Sequence, residues 1–309
     1  MKGWGCLVAR ESNRRQHRRS PLDELDVVNF ERVDISRLSP VGVRPSLGRY
    51  IRGLHQRRHF IWADSRARAF SGNKDTILGN LWLIGRPILD GFAFYVIFGV
   101  ILGTSRGVEN YIGFLLVGVF LFSFVSRSLT GGAGVMKAGS NLIRAFSFPR
   151  AAIPLALLIR ETLSMIPVIV TMLLMITLIP PHAVITWRWG LFPIVFVMLM
   201  MFNAGLIFYA ARITSAIPDL KHVLGFISRF WLYGSGVMFS IERFIKNPTM
   251  LEIVQLNPAY CAIELSRELL VYGTTPDLKL WFTLGAWAVV TPVLGFVYFW
   301  QAEEEYGRA

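Results

Sequence analysis

Cysteine is nearly missing from this chain: Cys6 and Cys261 are the only two among 309 residues. The hydropathy pattern puts them on opposite sides of a membrane, which leaves no disulfide framework and no thiolate metal cage. Lysine is scarce too, with 6 against 26 arginines. The signatures of catalysis are missing as a group. No G-x-x-x-x-G-K-[ST] occurs, so there is no Walker-type ATP site. Gly131–Ser140 is glycine-rich, but it lacks the Gly-Lys-Ser/Thr ending and lies in an apolar run, where helix packing is its expected role. No G-x-S-x-G, Asp-x-Asp, H-E-x-x-H or sugar-nucleotide pattern is found. His55 and His59 are four apart, but Gln56-Arg57-Arg58 lies between them and its cations oppose a bound metal. A metal, a bound cofactor and an enzymatic role are therefore not expected. A membrane-embedded glycosyltransferase using scattered carboxylates stays open as the alternative of another class. A secretory signal is not expected either, because arginine dominates the first 20 residues and no apolar run precedes Cys6.

Apolar sequence is what the chain has in excess: 53% of residues are hydrophobic and mean hydropathy is +0.48. The excess begins after Ile77. Residues 1–76 instead hold sixteen Lys and Arg against eight Asp and Glu. No helix-turn-helix, zinc or RNA-binding pattern accompanies this charge, so anionic lipid headgroups rather than nucleic acid are its expected partner. Crossing ~30 Å of hydrocarbon takes about 20 residues. Six runs qualify, at about 81–102, 111–136, 152–179, 190–211, 222–240 and 280–300. The reading is an all-α membrane protein of six spans. Basic residues orient it: sixteen precede the first span, Lys137, Arg144 and Arg150 follow the second, and Arg212 and Lys221 follow the fourth. The first two outer loops offer only Arg106 and Arg188. Both ends are expected in the cytoplasm.

Two segments outside the spans carry further pattern. Residues 1–45 read as a basic tail and 46–79 as an amphipathic interface helix. Leu47, Tyr50, Ile51 and Leu54 recur at helical spacing, beside Arg49, Arg52, Arg57 and Arg58. Such a helix is expected to lie on the membrane with its apolar side down. The outer segment 241–279 exceeds a hairpin, and Asn257-Pro258 opens a helix through Tyr272 that Gly273 ends. An interfacial loop helix and a re-entrant gate are both open for it. Charges inside apolar runs are few: Arg86 and Asp90, Arg127, and Arg160-Glu161. Pairing between helices is the default for each, with Arg127 the strongest functional candidate. Aromatics mark spans one and five. Most such rings pack against lipid or helices, yet a ring face is also a surface on which sugars stack.

Several local patterns then coincide. Asp64, Arg68 and Phe70, followed by Leu78-Gly79, Leu81-Trp82 and Pro87, resemble the approach to the first span of ABC-2 type exporter permeases, although Asn73-Lys74-Asp75 departs from that pattern. Asn141-Leu142-Ile143, Phe148-Pro149-Arg150 and Pro154-Leu155-Ala156 resemble that family's segment after span two. Asp219-Leu220-Lys221-His222 resembles its inner loop after span four, and Asn257-Pro258 with Leu269–Gly273 is similar to an outer element. The resemblance covers roughly residues 46–306 and is greatest to the branch exporting lipid-linked polysaccharides: O-antigen, teichoic acid and mycobacterial galactan.

The resemblance implies a bacterial inner-membrane permease, working as a homodimer with two copies of a separate ATPase that carries the ATP and Mg. It implies that 137–150 is a coupling element seated on the ATPase through Asn141, Leu142, Arg144, Phe146, Phe148, Pro149 and Arg150. Arg49, Arg52, Arg57, Arg58, Asp64, Arg66 and Arg68 would then receive the lipid diphosphate. Phe92, Tyr95, Phe98, Arg127, Phe230, Trp231, Tyr233 and Phe239 would line the channel. Asn257, Pro258 and Tyr260 would form its outer gate. A drug or small lipid is the alternative cargo within the family. The arginine excess points to a high-GC source and so to a galactan.

Overall fold

The structure, a computed structural model, describes residues 44–71, 81–101, 108, 110–145, 148–241 and 247–307. The basic tail before Arg44 and the motif residues 72–80 lie outside the described residues. Among those described there is no strand. In chain order the helices are α1 (Leu47–Gln56), α2 (Arg58–Ser71), α3 (Trp82–Phe94), α4 (Tyr111–Ala138), α5 (Ser140–Ala145), α6 (Ala152–Leu178), α7 (Phe192–Ala216), α8 (Leu220–Gly234), α9 (Pro248–Gln255), α10 (Pro258–Arg267) and α11 (Leu278–Gln301).

Four of these are long and apolar enough to cross a membrane: α4, α6, α7 with the short turn at Trp187–Leu191 before it, and α11. They match the expected second, third, fourth and sixth spans to within a few residues. The expected first and fifth spans differ from a single straight helix. Residues 82–101 are helical throughout, but the α-helix contains Pro87 and widens to a π-helix over Tyr95–Ile101. The missing N–H of Pro87 removes one rung of the helical ladder. α8 stops after 15 residues at Gly234, because Gly236 takes φ +61 and turns the chain. Residues 46–79 were expected as one interface helix, and here too the structure differs. Its described part is two helices, α1 and α2, broken at Arg57.

α4 lies at the centre of the bundle. α7, α6, α8, α10 and α3 all pack on it, and α11 packs most extensively on α7. Glycines set the closest approaches. A Cβ at Gly132 would meet the Ile207 backbone at 2.9 Å, so this residue lets α4 seat directly on α7. At Gly205 a Cβ would lie 2.5 Å from the Thr291 carbonyl carbon of α11. Gly205→Ala is therefore expected to force α11 off α7 and destabilise the protein by about 2 kcal/mol or more, read as a lower unfolding midpoint after purification. Gly48→Ala, where nothing lies within 4 Å, is the control expected to leave that midpoint unchanged.

The apolar side of α1 does not simply face lipid. Tyr50 and Leu54 are buried against Met136, Phe208 and Phe299 of the bundle, and the face continues through Ile61, Ser65 and Ala69 of α2. Ser65 Oγ donates to the carbonyl of Ala156 on α6 at 3.0 Å. Leu47 and Ile51 remain exposed, at 38% and 49%. The expected amphipathic face is thus divided, half against protein and half outward.

Candidate functional site

Three segments far apart in sequence meet at the basic end of the bundle. Tyr50 of α1 donates its hydroxyl to Glu303 Oε2 at 2.6 Å and accepts from the Ala151 N–H at 2.9 Å. The other carboxylate oxygen of Glu303 accepts from the Arg150 N–H at 3.0 Å. One buried carboxylate therefore joins the interface helix, the turn before α6 and the end of α11. Burial raises the Glu303 carboxyl above its ordinary pKa, outweighing the two hydrogen bonds and the Arg150 charge that pull it down. Burial, reinforced by the Glu303 charge, likewise raises the Tyr50 hydroxyl. Arg44 continues the joint: its guanidinium sits 4.3 Å over the Trp300 ring, and the Trp300 indole donates to the Pro45 carbonyl at 3.1 Å.

The residues assigned to coupling divide at this joint. Asn141 is exposed on α5 and Leu142 is half-buried. Phe148, Pro149 and Arg150 turn inward: Phe148 packs on Phe60 with centroids 6.3 Å apart, and the Pro149 ring covers Gly53. Phe146 and the side chain of Arg144 lie outside the described residues. Arg49, Arg52, Arg57, Arg58, Arg66 and Arg68 are all exposed on α1 and α2. Asp64 is taken by Arg68 at 2.8 Å, and Arg58 bonds His55.

A second assembly lies between α4 and α8. Ser126 and Thr130 of α4 face Lys221, Gly225 and Ser228 of α8 across a cavity of about 540 Å³, which His222, Arg229, Phe122, Phe226 and Leu232 complete. Ser228 donates to Ser126 across the helix pair at 2.8 Å. Phe226 and Phe230 pack against each other along α8, tilted by 53° with centroids 4.7 Å apart.

The sequence-assigned channel residues separate on these surfaces. Phe230 and Tyr233 are exposed on α8, at 62% and 56%, and Phe92 is exposed on α3. Tyr95 and Phe239 are half-buried, and the side chain of Phe98 lies outside the described residues. Trp231 is turned into the core, edge-on to Phe122 and Phe202, with its indole N–H donated to Asn257 Oδ1 at 2.9 Å. Arg127 points to α6 rather than α8, lying 3.4 Å from Glu161, which Arg160 also engages at 2.9 Å. α3 packs chiefly on α6, and α8 chiefly on α4. Within one chain the two aromatic rows are not principal neighbours.

The expected outer helix forms as α10 and its π-helical extension through Tyr272, closed by Gly273 at φ +65. Asn257 caps it through the Ala259 N–H at 3.1 Å and also donates to Ser235 Oγ at 3.0 Å. Pro258 and Tyr260 are buried, as is nearly every residue from 258 to 271. That burial is greater than a helix lying flat on a surface attains. Sequence reasoning missed Arg267, which is 1% exposed and donates to the carbonyls of Phe114, Gly236 and Val237 and to Glu264. Its place amid Leu265, Leu269 and Leu270 was the available signal. Arg229, likewise surrounded by apolar residues, gave the same signal. Tyr50 and Glu303 gave none, because 253 positions separate them.

Comparison with known proteins agrees with this architecture. A family described as ABC-2 type transporter matches residues 67–271. Among curated relatives, the O-antigen export system permease protein RfbA of Myxococcus xanthus is 21% identical over 261 residues, covering 84% of this chain and 99% of that protein. A Klebsiella pneumoniae protein of the same name is 26% identical over 204 residues, 65% of this chain and 76% of its own length.

Proposed function

From a chain that belongs to the ABC-2 type transporter family, we infer the permease half of an ATP-driven exporter that carries a lipid-diphosphate-linked polysaccharide, a galactan-type cell-wall glycan being favoured, out across the inner membrane. Relatives named for O-antigen export support the polysaccharide class. The arginine excess, 26 against 6 lysines, favours the galactan through a high-GC source.

The observation that carries the reading is the open flank of α8. Arg229 is exposed there between Phe226 and Phe230, and a guanidinium facing hydrocarbon is costly. A second copy of the chain, enclosing a water-filled passage against this flank, removes that cost. In this arrangement α3 and α8 contribute to the first and fifth spans of six, the basic end lies in the cytoplasm, and α10 gates the outer side. Exposed Asn141 and half-buried Leu142 are offered to the separate ATPase, while Phe148–Arg150 transmit its movement to α1 and α2. The arginines of α1 and α2 attract the lipid diphosphate, since guanidinium suits phosphate. An apolar groove of about 730 Å³, walled by Phe70, Ile88, Ile166, Val170 and Leu174, favours a lipid-linked cargo whose tail stays in the bilayer.

The test is depletion in the native host together with reconstitution. Depletion is expected to accumulate glycan-linked lipid on the inner leaflet, and ATP hydrolysis by the purified partner ATPase is expected to depend on this subunit. A drug or small-lipid exporter leaves the glycan lipid unchanged. A glycosyltransferase turns over without any ATPase. Purification as a monomer that pairs with no ATPase overturns the reading.

A further inference from the structure

The cavity between α4 and α8 has a chemistry that neither packing nor lipid contact accounts for. Its lining includes Lys221, His222 and Arg229 and no acidic residue. Five ion pairs join described side chains: Arg68 with Asp64, Arg127 and Arg160 with Glu161, Arg212 with Glu305, and Arg267 with Glu264. None of these involves Lys221, His222 or Arg229. Lys221 and Arg229 on one helix, with no carboxylate in the lining, give the cavity a positive potential that favours an anion.

Geometry narrows the ligand. Lys221, Gly225, Ser228 and Leu232 follow at helical spacing and share the face of α8 that meets α4. Opposite them Ser126, Thr130 and Gly134 recur every fourth residue on α4. The Lys221 ammonium lies against Gly134, 3.6 Å from where a Cβ would stand, an ordinary contact distance. The lysine head is thus laid against the wall of the groove. Ser126 accepts from Ser228 and keeps its own hydroxyl proton for a further acceptor. Thr130 spends its proton on the Ser126 carbonyl and keeps lone pairs only. From Lys221 to Arg229 is about 12 Å along the axis, a span that two long side chains close onto an extended anion better than onto one phosphate. Phe122, Phe226 and Leu232 make the remainder apolar, so the anion enters attached to something with an apolar or ring-stacking body.

We propose that the α4–α8 cavity is a diphosphate-binding site in which Lys221 and Arg229 neutralise the anion and the His222 ring and the Ser126 hydroxyl donate to it. It rests on the exporter reading for the carrier to which the diphosphate belongs. It adds a station along the first turns of α8, separate from the exposed arginines of α1 and α2.

The test measures binding to the full-length permease in nanodiscs of zwitterionic lipid, with three probes: inorganic diphosphate, a polyprenyl diphosphate and the matching polyprenyl monophosphate. The wild type is expected to bind polyprenyl diphosphate more tightly than monophosphate, with inorganic diphosphate competing. The combined Lys221→Gln, His222→Gln, Arg229→Gln variant is expected to lose about tenfold or more in affinity. Its unfolding midpoint should be unchanged, and Arg229→Lys should retain most of the binding. Unchanged affinity in the combined variant, with loss on replacing Arg49, Arg52 and Arg57, overturns the site and leaves the exporter reading standing. Equal binding of mono- and diphosphate overturns the diphosphate assignment. Inorganic diphosphate that binds in a Lys221-, His222- and Arg229-dependent way, with no binding of the polyprenyl form, supports the site and counts against the lipid carrier. Failure of the wild type to bind any probe overturns the proposal.

Discussion

Glu303→Ala is expected to free the interface helix from the bundle. The substitution strips the acceptor from the Tyr50 hydroxyl and from the Arg150 N–H at once. Each buried donor left unpaired costs about 1–3 kcal/mol. The readout is twofold: a lower unfolding midpoint, and faster trypsin cleavage at Arg49 and Arg52, which α1 holds in helical form. Tyr50→Phe should give a smaller loss of the same kind, and the double variant should fall short of the sum, because both act on one network. The pH dependence has a definite sign. Burial raises the Glu303 pKa, so the folded protein binds the proton more tightly than the unfolded chain. This stabilising contribution is complete below the unfolded value of about 4.3 and is lost as pH climbs through the folded one. The wild-type midpoint should decline over that window by an increment that Glu303→Gln lacks. Equal trypsin rates for the wild type and Glu303→Ala would remove the joint from consideration.

Arg267→Met is expected to be more damaging still, abolishing monodisperse protein or lowering its unfolding midpoint sharply. The guanidinium sits 3.3 Å above the Phe114 ring and bonds the carbonyls of Gly236 and Val237 at 3.0 Å each. Those two carbonyls belong to the turn that ends α8, where the helical ladder supplies no donors. Methionine fills the volume and leaves them, with Glu264, unpaired, at a cost of about 3–5 kcal/mol. Lysine is a poor replacement, because a point charge does not reproduce the fork that serves three elements together. Gly118→Ala attacks the same point from α4, since its Cβ would lie 2.6 Å from Arg267 Nη2. A wild-type midpoint in Arg267→Met would show the network to be ornamental.

These two sites also mark what single-sequence reading reaches. α4, α6, α7 and α11 were legible because each is one continuous apolar run. α10 was legible because its boundaries are local chemistry, a capping Asn257 at one end and a left-handed Gly273 at the other. The break at Arg57 carries no proline or glycine, and it arises where α1 and α2 each seat on the bundle. Hydropathy reads 222–240 as one span, whereas the chain turns at Gly236, and the compensating donor lies some thirty residues onward at Arg267. Rotation about a helix was the other obstacle. Trp231 and Phe230 are adjacent in sequence and face opposite environments, one donating into the core and one exposed; Arg127 and Ser126 divide in the same way between α6 and α8. Composition names the rings and charges of a span. Only packing says which way each one turns.

The bond from Tyr50 to Glu303 sets an order of events during synthesis. α1 leaves the ribosome long before its acceptor exists, since 253 positions intervene. Throughout that interval Tyr50 and Leu54 have no bundle to enter, and the membrane surface is the place where their apolar side can wait. Among the described helices, it is α11, made long after α1, that seats α1. A truncation at Ala302 should therefore leave each of the four long apolar helices in the membrane and still yield a protein that quality-control proteases remove, because α1 has never been locked.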